Sequence, residues 1–195
     1  MPKINENWLK LAKIIPKYKK RIYNKTSMTT TLPYRKNVSM LIMNQTGKVL
    51  IIREKGEKET IWKFPQGGVE KNESEVQTIA RELKEEVNIQ HYQIIQKAKY
   101  THRYDWPTDI QQRKGFRGQE QSIYLILAQK PKEARCGEEK IEKLEWVDIE
   151  EAINRFTFEN KISATKIVWK EFEPAIAEKN TPTNGIAERA LKSVD

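Results

Sequence analysis

The sequence predicts a single α+β or layered α/β/α domain. Short runs rich in apolar and β-branched residues are mixed with a few helical patterns, without the strict strand–helix alternation of a parallel sheet. With 195 residues and 37% hydrophobic content, the chain is long enough to enclose a hydrophobic core.

The first two strands are predicted as a hairpin. Residues 38–43 and 49–53 are apolar, and Asn-Gln-Thr-Gly at 44–47 favours a tight turn between them. A short strand at 62–64 ends at Pro65, which cannot donate a backbone hydrogen bond. Three further strands are predicted over residues 94–100, 123–128 and 144–147.

The clearest helical pattern covers residues 74–87, with Ser74 as the predicted N-cap. Two later helices are predicted over residues 149–156 and 161–172. In the first helix, the stripe expected to be buried consists of Val76, Ile79, Ala80, Leu83 and Val87.

The predicted domain covers residues 34–175, between a basic extension with linker at 1–33 and a loop-like tail at 176–195. Residues 1–25 hold eight basic side chains against one glutamate, so they carry +7 of the net charge of +9. We expect this basic arm to be a solvated extension, an arm that contacts RNA phosphates or a partner, or an organelle-targeting segment.

The expected location is the cytoplasm, with organelle targeting by the basic arm as the alternative. No apolar run is long enough to span a membrane, and the chain shows no secretory signal pattern. Cys136 is the only cysteine, which excludes an intrachain disulfide and favours a reducing compartment. Nothing in the sequence indicates an oligomeric state.

Glu82, Glu85 and Glu86 form an acidic face on the first predicted helix. At about 100° per residue they lie within roughly 100° of one another, and like charges near a helix C-terminus oppose helix formation. A bound cation would remove this cost, and Mg²⁺ prefers carboxylate oxygens. On spacing alone, the alternative is a solvated acidic face that Lys71 and Lys84 compensate.

The stretch that contains these glutamates resembles the Nudix box. In that pattern a glycine is followed after five residues by Glu, and after seven more by Arg-Glu-apolar-any-Glu-Glu-any-Gly-apolar. The residues that match in register are Gly67, Glu73, Arg81, Glu82, Leu83, Glu85, Glu86 and Ile89. Asn88 replaces the last glycine and Asn72 replaces a common turn glycine; after glycine, asparagine best tolerates a left-handed backbone.

The resemblance implies a Nudix α/β/α sandwich with a mixed sheet, in which the box forms a loop–helix–loop. It also implies an enzyme that hydrolyses pyrophosphate linkages with Mg²⁺, or with Mn²⁺. The implied metal ligands are Glu82, Glu85 and Glu86. As an alternative, one of the three acts as general base for the attacking water instead of binding the metal.

The resemblance assigns roles to four more box residues. Arg81 and Glu73 would form a pair that orients the helix and its ligands. Gly67 and Gly68 would let the backbone approach a substrate phosphate closely.

Residues 62–68 resemble the Trp-x-Phe/Met-Pro-Gln-Gly-Gly opening of RNA 5′-pyrophosphohydrolases and of asymmetric dinucleoside tetraphosphate hydrolases. Further matches to that subgroup extend the resemblance to about residues 34–172. It implies that the substrate contacts Arg35, Tyr104, Gln119 and Phe158. Without the resemblance, we would interpret Arg35 as a surface charge, and Tyr104 and Phe158 as aromatic residues that pack in or near the core.

Five other positions bear on the site. The subgroup has a basic residue directly after the aromatic at 158, whereas this chain has Glu159 there and Lys161 later. A later glutamate often completes the metal site, and Glu139 and Glu142 are the predicted candidates. His102 is expected to be a structural or rim residue.

Three functions are therefore considered. The first is removal of pyrophosphate or phosphate from RNA 5′ ends, and the second is cleavage of diadenosine tetraphosphate into ATP and AMP. Arg113, Lys114 and Arg117, on a predicted loop, and the basic arm favour RNA. The third is a non-catalytic RNA-binding scaffold with the Nudix fold, which the complete set of box carboxylates disfavours.

Overall fold

The computed structural model describes residues 32–55 and 60–180. The basic arm and most of the tail therefore lie outside the described residues, and the domain boundaries stay predictions. A short 3₁₀ turn, Pro131–Glu133, precedes β7. The other elements are, in chain order, β1 (Tyr34–Met43), β2 (Val49–Lys55), β3 (Thr60–Lys63), β4 (Gln66–Gly68), α1 (Glu75–Val87), β5 (Tyr92–Asp105), α2 (Thr108–Lys114), β6 (Gly118–Ala128), β7 (Ile141–Val147), α3 (Ile149–Arg155) and α4 (Glu159–Asn180).

Within the described residues, seven strands form one mixed sheet. Strand β1 pairs in parallel with β6, from Tyr34 opposite Gly118 to Met43 opposite Leu127, and β6 pairs antiparallel with β5. On the other side, β2 follows β1 through the predicted hairpin and pairs antiparallel with both β3 and β7. The short strand β4 lies antiparallel to the start of β1.

Strand β1 is buried on both faces, which explains the layers of the fold. Leu41 and Met43 pack into a core cluster that contains side chains of α3 and α4. Met40 and Ile42 pack into a second cluster that contains side chains of α1. Helices therefore cover both faces of the sheet, and the predicted α/β/α sandwich with a mixed sheet is confirmed.

Helix α1 begins and ends as the sequence predicts. The Ser74 hydroxyl accepts from the Gln77 backbone N–H, and the Gln77 side chain accepts from the Ser74 N–H, which forms a capping box. Asn72 (φ +68°) and Asn88 (φ +54°) both adopt the left-handed conformation. These asparagines therefore adopt the left-handed backbone conformation that a glycine would adopt at the same positions.

The buried face of α1 differs from the predicted stripe. Val76 is 54% exposed and Ala80 is also exposed, although both were predicted to be buried. Glu82 and Glu86 are buried instead. The helix is rotated so that residues around Ile79 face the sheet and the two glutamates face inward, which apolar periodicity alone cannot indicate.

Several boundaries were predicted too short. Strands β5 and β6 pair from Tyr92 opposite Ala128 to Asp105 opposite Gly118, so both are longer than their apolar segments. Strand β4 and helix α2 were not predicted, and Arg113 and Lys114 lie on α2 rather than on a loop.

Helix α4 continues to Asn180, past the predicted start of the tail, because Ile176 packs in the core. Among the described helices, none combines the length and apolar character that a membrane crossing requires.

Candidate active site

Two glycines of β4 make room for side chains of the site. A Cβ on Gly67 would lie 1.9 Å from Cδ and Oε1 of Glu82, and a Cβ on Gly68 would lie 2.0 Å from Nη2 of Arg35. Any larger residue would displace these two side chains. The glycines therefore let Glu82 and Arg35 lie directly against the backbone of β4, a packing role that the sequence did not predict.

Arg81 holds three glutamates of the box together. Its Nε and Nη2 donate to Glu73 at 2.9 and 3.0 Å, and its Nη1 donates to Glu82 at 2.6 Å and to Glu85 at 3.1 Å. Nη2 also donates to the Gly68 carbonyl at 3.1 Å, which connects α1 to β4. The bonds from Arg81 lower the pKa of Glu73 to about 2. The predicted Arg81–Glu73 pair is thus formed.

Glu82, Glu85 and Glu138 bring carboxylate oxygens within 4.8 Å of one another. Together with Glu86, these residues are called the carboxylate cluster below. Such a set of oxygen ligands suits a hard divalent cation. Carboxylates this close repel one another, so the cluster needs nearby positive charge to be stable.

The loop before β7 delivers Glu138 to the cluster. The backbone N–H of Gly137 donates to the Glu86 carbonyl at 3.0 Å, which satisfies an acceptor at the end of α1. A Cβ on Gly137 would lie 1.9 Å from the Glu85 carbonyl oxygen, so only glycine allows this contact. The loop and the helix end therefore pack backbone to backbone, and Glu138 follows directly.

The glutamates predicted to complete the site, Glu139 and Glu142, lie outside this group. Glu139 is exposed. Glu142 lies on β7, where its carboxylate is 3.3 Å from Nε of Arg53 on β2. Among the described residues, the loop glutamate that lies beside Glu82 and Glu85 is Glu138, because the Gly137 contact decides which residue of the loop faces α1.

Glu86 is the most buried member of the cluster. Its Oε2 accepts from the Gln66 backbone N–H at 2.9 Å, whereas Oε1 has no hydrogen-bond partner among the described residues. Burial raises the pKa of Glu86 to about 7, and burial also raises the pKa of Glu82. A buried carboxylate oxygen without a donor is costly, and a cation would compensate it.

A cavity of about 490 Å³, called the side cavity below, adjoins the cluster through Gln66 and Glu54. Its other lining residues include the side chains Lys63, Tyr104, Trp106, Gln119, Phe158 and Lys161. The structure thus brings together three of the predicted substrate-binding residues. The fourth, Arg35, lies outside this lining and packs against Gly68.

The two lysines of the side cavity differ in their partners. Lys63 is only 6% exposed and forms an ion pair with Glu54. Lys161 donates to the neutral Gln66 side chain at 3.1 Å, and burial, with the nearby charge of Lys63, lowers its pKa to about 8. No carboxylate of the described residues forms an ion pair with Lys161, which lines the side cavity.

Tyr104 lines the side cavity and bonds to the neighbouring strand β6. Its hydroxyl donates to Gln119, and burial raises its pKa to about 12. The ring of His102 lies 5.0 Å from that of Tyr104 and 6.4 Å from that of Tyr100. His102 is buried, which is the position that a structural residue would take.

Comparison with known proteins decides the family. The NUDIX domain family matches residues 33–166, more than half of the chain. The chain belongs to the Nudix family.

Several curated relatives of this Nudix protein are named RNA pyrophosphohydrolase. The one from Gluconobacter oxydans is 29% identical over 162 residues, which is 75% of this chain and 88% of that protein. The one from Bartonella clarridgeiae is 31% identical over 160 residues, which is 72% of this chain and 91% of that protein. The match to the one from Bartonella henselae is 40% identical over 88 residues, but it spans only 42% of this chain and 51% of that protein.

Solved structures share the fold. An Ap4A hydrolase from C. elegans superposes with a TM-score of 0.57 at 20% identity, over 72% of this chain and 98% of that one. The dihydroneopterin triphosphate pyrophosphohydrolase from E. coli gives 0.56 at 21% identity, over 69% and 96%. This chain is a Nudix hydrolase and acts on pyrophosphate bonds. The family is typically metal-dependent, and the acidic cluster is present.

Several residues of this Nudix hydrolase site were missed in the sequence. Glu54, Lys63, Glu138 and Lys140 come from strands or loops outside the box helix. For Lys63, the sequence did offer a sign of its role, because this lysine stands between Trp62 and Phe64 in a predicted short strand. For the others, the sequence shows only ordinary charged residues near strand ends.

Proposed function

We propose that this Nudix hydrolase removes pyrophosphate or phosphate from the 5′ ends of triphosphorylated or diphosphorylated RNA. The observation that carries this proposal is the position of the side cavity, which combines two lysines and three aromatic side chains directly beside the carboxylate cluster. The names of the curated relatives support the same substrate.

The carboxylate cluster is the proposed Mg²⁺ site, which would also accept Mn²⁺. Glu82, Glu85 and Glu138 would bind the ion. Glu86, which the Nudix box also assigns as a ligand, is buried beside them and would add negative charge to the site. A bound ion would neutralise charge on the phosphates and lower the pKa of a bound water. Arg81 would keep the ligands in place through its bonds to Glu82 and Glu85.

The side cavity is the proposed site for the nucleotide end. The unpaired charge of Lys161 and the buried Lys63 would attract phosphate oxygens next to the cluster. Phe158, which is 42% exposed, and Tyr104 would stack on a base. Arg35, which packs against Gly68, would contact a phosphate as the subgroup resemblance implies.

A product assay on the purified full chain tests this proposal. With Mg²⁺ present, 5′-triphosphorylated RNA and diadenosine tetraphosphate are compared at matched concentrations. We expect the release of pyrophosphate or phosphate from RNA to be faster than the formation of ATP and AMP. Faster cleavage of diadenosine tetraphosphate would overturn the RNA assignment and leave a dinucleotide hydrolase.

The basic arm provides a second test of the RNA assignment. Deletion of residues 1–30 should weaken RNA binding and reduce its salt dependence, because seven net positive charges are lost. Hydrolysis of diadenosine tetraphosphate should be unchanged, since a dinucleotide lacks the RNA backbone phosphates that the arm is proposed to contact. Equal losses with both substrates would show instead that the arm belongs to the catalytic domain.

A further inference from the structure

Lys140 places an ammonium group among three carboxylates that come from three separate elements. Its Nζ lies 2.8 Å from Glu138 on the same loop, 3.6 Å from Glu54 on β2 and 3.9 Å from Glu86 on α1. The backbone holds this position, because the Lys140 carbonyl accepts from the Lys55 N–H at 2.9 Å. The side chain thus enters the proposed metal site from the side of β7.

Two basic side chains divide the carboxylates of the site between them. Arg81 bonds to Glu82 and Glu85, the pair that we call the outer side of the cluster. Lys140 lies beside Glu86 and Glu138, the pair that we call the inner side. Each pair of carboxylates therefore has one basic side chain beside it.

The inner side needs positive charge more than the outer side does. Glu86 is fully buried, and its Oε1 has no hydrogen-bond partner among the described residues. At 3.9 Å the Lys140 ammonium is too distant for a hydrogen bond to this oxygen, but it is close enough for strong Coulomb attraction.

Three carboxylates lie 2.8, 3.6 and 3.9 Å from the Lys140 Nζ. Their summed attraction holds the ammonium at the cluster, although the side chain is 46% exposed.

We propose that Lys140 is a built-in cation of the metal site, which occupies the inner side where a second divalent ion would otherwise bind. The ion held by Glu82 and Glu85 would share Glu138 with Lys140, and the ammonium would compensate part of the charge of Glu86. This inference rests on the proposed metal-dependent function. It predicts that removal of the ammonium creates an additional ion site on Glu86 and Glu138 rather than weakening the existing one.

The test compares the wild-type full chain with Lys140→Gln and with a matched control, Lys143→Gln. Lys143 lies three residues later, on β7, and is 55% exposed, but it pairs with Glu145, away from the cluster. Bound Mn²⁺ is counted by titration with the electron spin resonance signal of the free ion. Thermal melts with and without MnCl₂ give a second readout that does not depend on catalysis.

We expect Lys140→Gln to bind one Mn²⁺ more than the wild type and to gain a larger Mn²⁺-induced rise in Tm. Lys143→Gln should match the wild type in both. If Lys140→Gln binds no additional Mn²⁺ while the wild type binds the ion normally, the role of Lys140 is refuted and the proposed function stands. If none of the three proteins responds to Mn²⁺, the metal-dependent function fails, and this inference fails with it.

Discussion

The carboxylate cluster and the side cavity lie next to each other but are built in opposite ways. Three of the four glutamates of the cluster come from one helix, α1, and a single arginine on that helix holds two of them. The side cavity takes its lining from five strands, β2 to β6, and from the start of α4. Apart from Glu138, the cluster is local in sequence, whereas the side cavity exists only after the sheet has formed.

Their charges are also opposite. The cluster concentrates carboxylates that need a cation, whereas the side cavity presents Lys161, whose charge has no carboxylate partner among the described residues. A polyphosphate that spans both regions would meet a cation-binding site at one end and a lysine at the other. The comparison predicts that changes in the cluster stop the reaction on every substrate, and that changes in the cavity alter which substrate is used.

The largest effect should come from the cluster. Glu85→Gln keeps the shape of the side chain but removes a proposed metal ligand, so we expect kcat to fall roughly 10²- to 10³-fold on both RNA and diadenosine tetraphosphate. Circular dichroism should show an intact fold, since the Glu85 side chain is 49% exposed. Turnover near that of the wild type would show that the metal site is assigned to the wrong residues.

The next effect concerns the stability of the metal-free cluster. The pKa of Glu86 is raised from 4.5 to about 7 in the folded protein. The folded state therefore holds this proton more tightly than the unfolded chain does, and it loses stability as pH rises from about 4.5 to about 7. In EDTA, Glu86→Gln should be more stable than the wild type at pH 8, by up to roughly 3 kcal/mol.

Urea unfolding at pH 8 and pH 4.5 measures this difference, which should vanish at the lower pH. Glu85→Gln is the control, because solvent already screens that half-exposed carboxylate and a much smaller gain is expected. A Glu86→Gln variant no more stable than the wild type at pH 8 would mean that Glu86 is well compensated without metal.

A change in the cavity should act on substrate binding. Lys161→Met removes the cation that faces the side cavity, so we expect KM for triphosphorylated RNA to rise about 10-fold or more. The value of kcat should change less, because the cluster is untouched. Lys166→Met, on an exposed position of the same helix, is the control for the loss of charge. A fall confined to kcat would move Lys161 from substrate binding to the reacting centre.

The smallest of these effects should come from the rim of the cavity. Phe158→Ala removes the exposed aromatic ring that is proposed to stack on a base, which is worth about 1 kcal/mol or somewhat more. We expect KM to rise several-fold for nucleotide substrates. Ile167→Ala, which trims an apolar side chain of similar exposure on α4, should leave KM unchanged. Equal KM values for the two variants would exclude stacking by Phe158.

The fold was predictable to the extent that it depends on local patterns. The hairpin at 44–47, the Ser74 cap and the left-handed Asn72 and Asn88 all follow from residue type and spacing. The length of β5 did not follow, because its polar second half becomes a strand only through its pairing with β6. Apolar periodicity also failed at Glu86, where function places a carboxylate in the core.

By itself, the sequence determined the family, the box helix and the acidic face, because the residue spacing of a helix converts directly into geometry. Only the tertiary structure decided that Glu138 joins the cluster, that Lys140 faces Glu86 and that Lys161 shares a cavity with Lys63. These contacts join segments far apart in the chain. Their partners are selected by strand register and by the packing of the Gly137 loop on α1, and neither leaves a local pattern in the sequence.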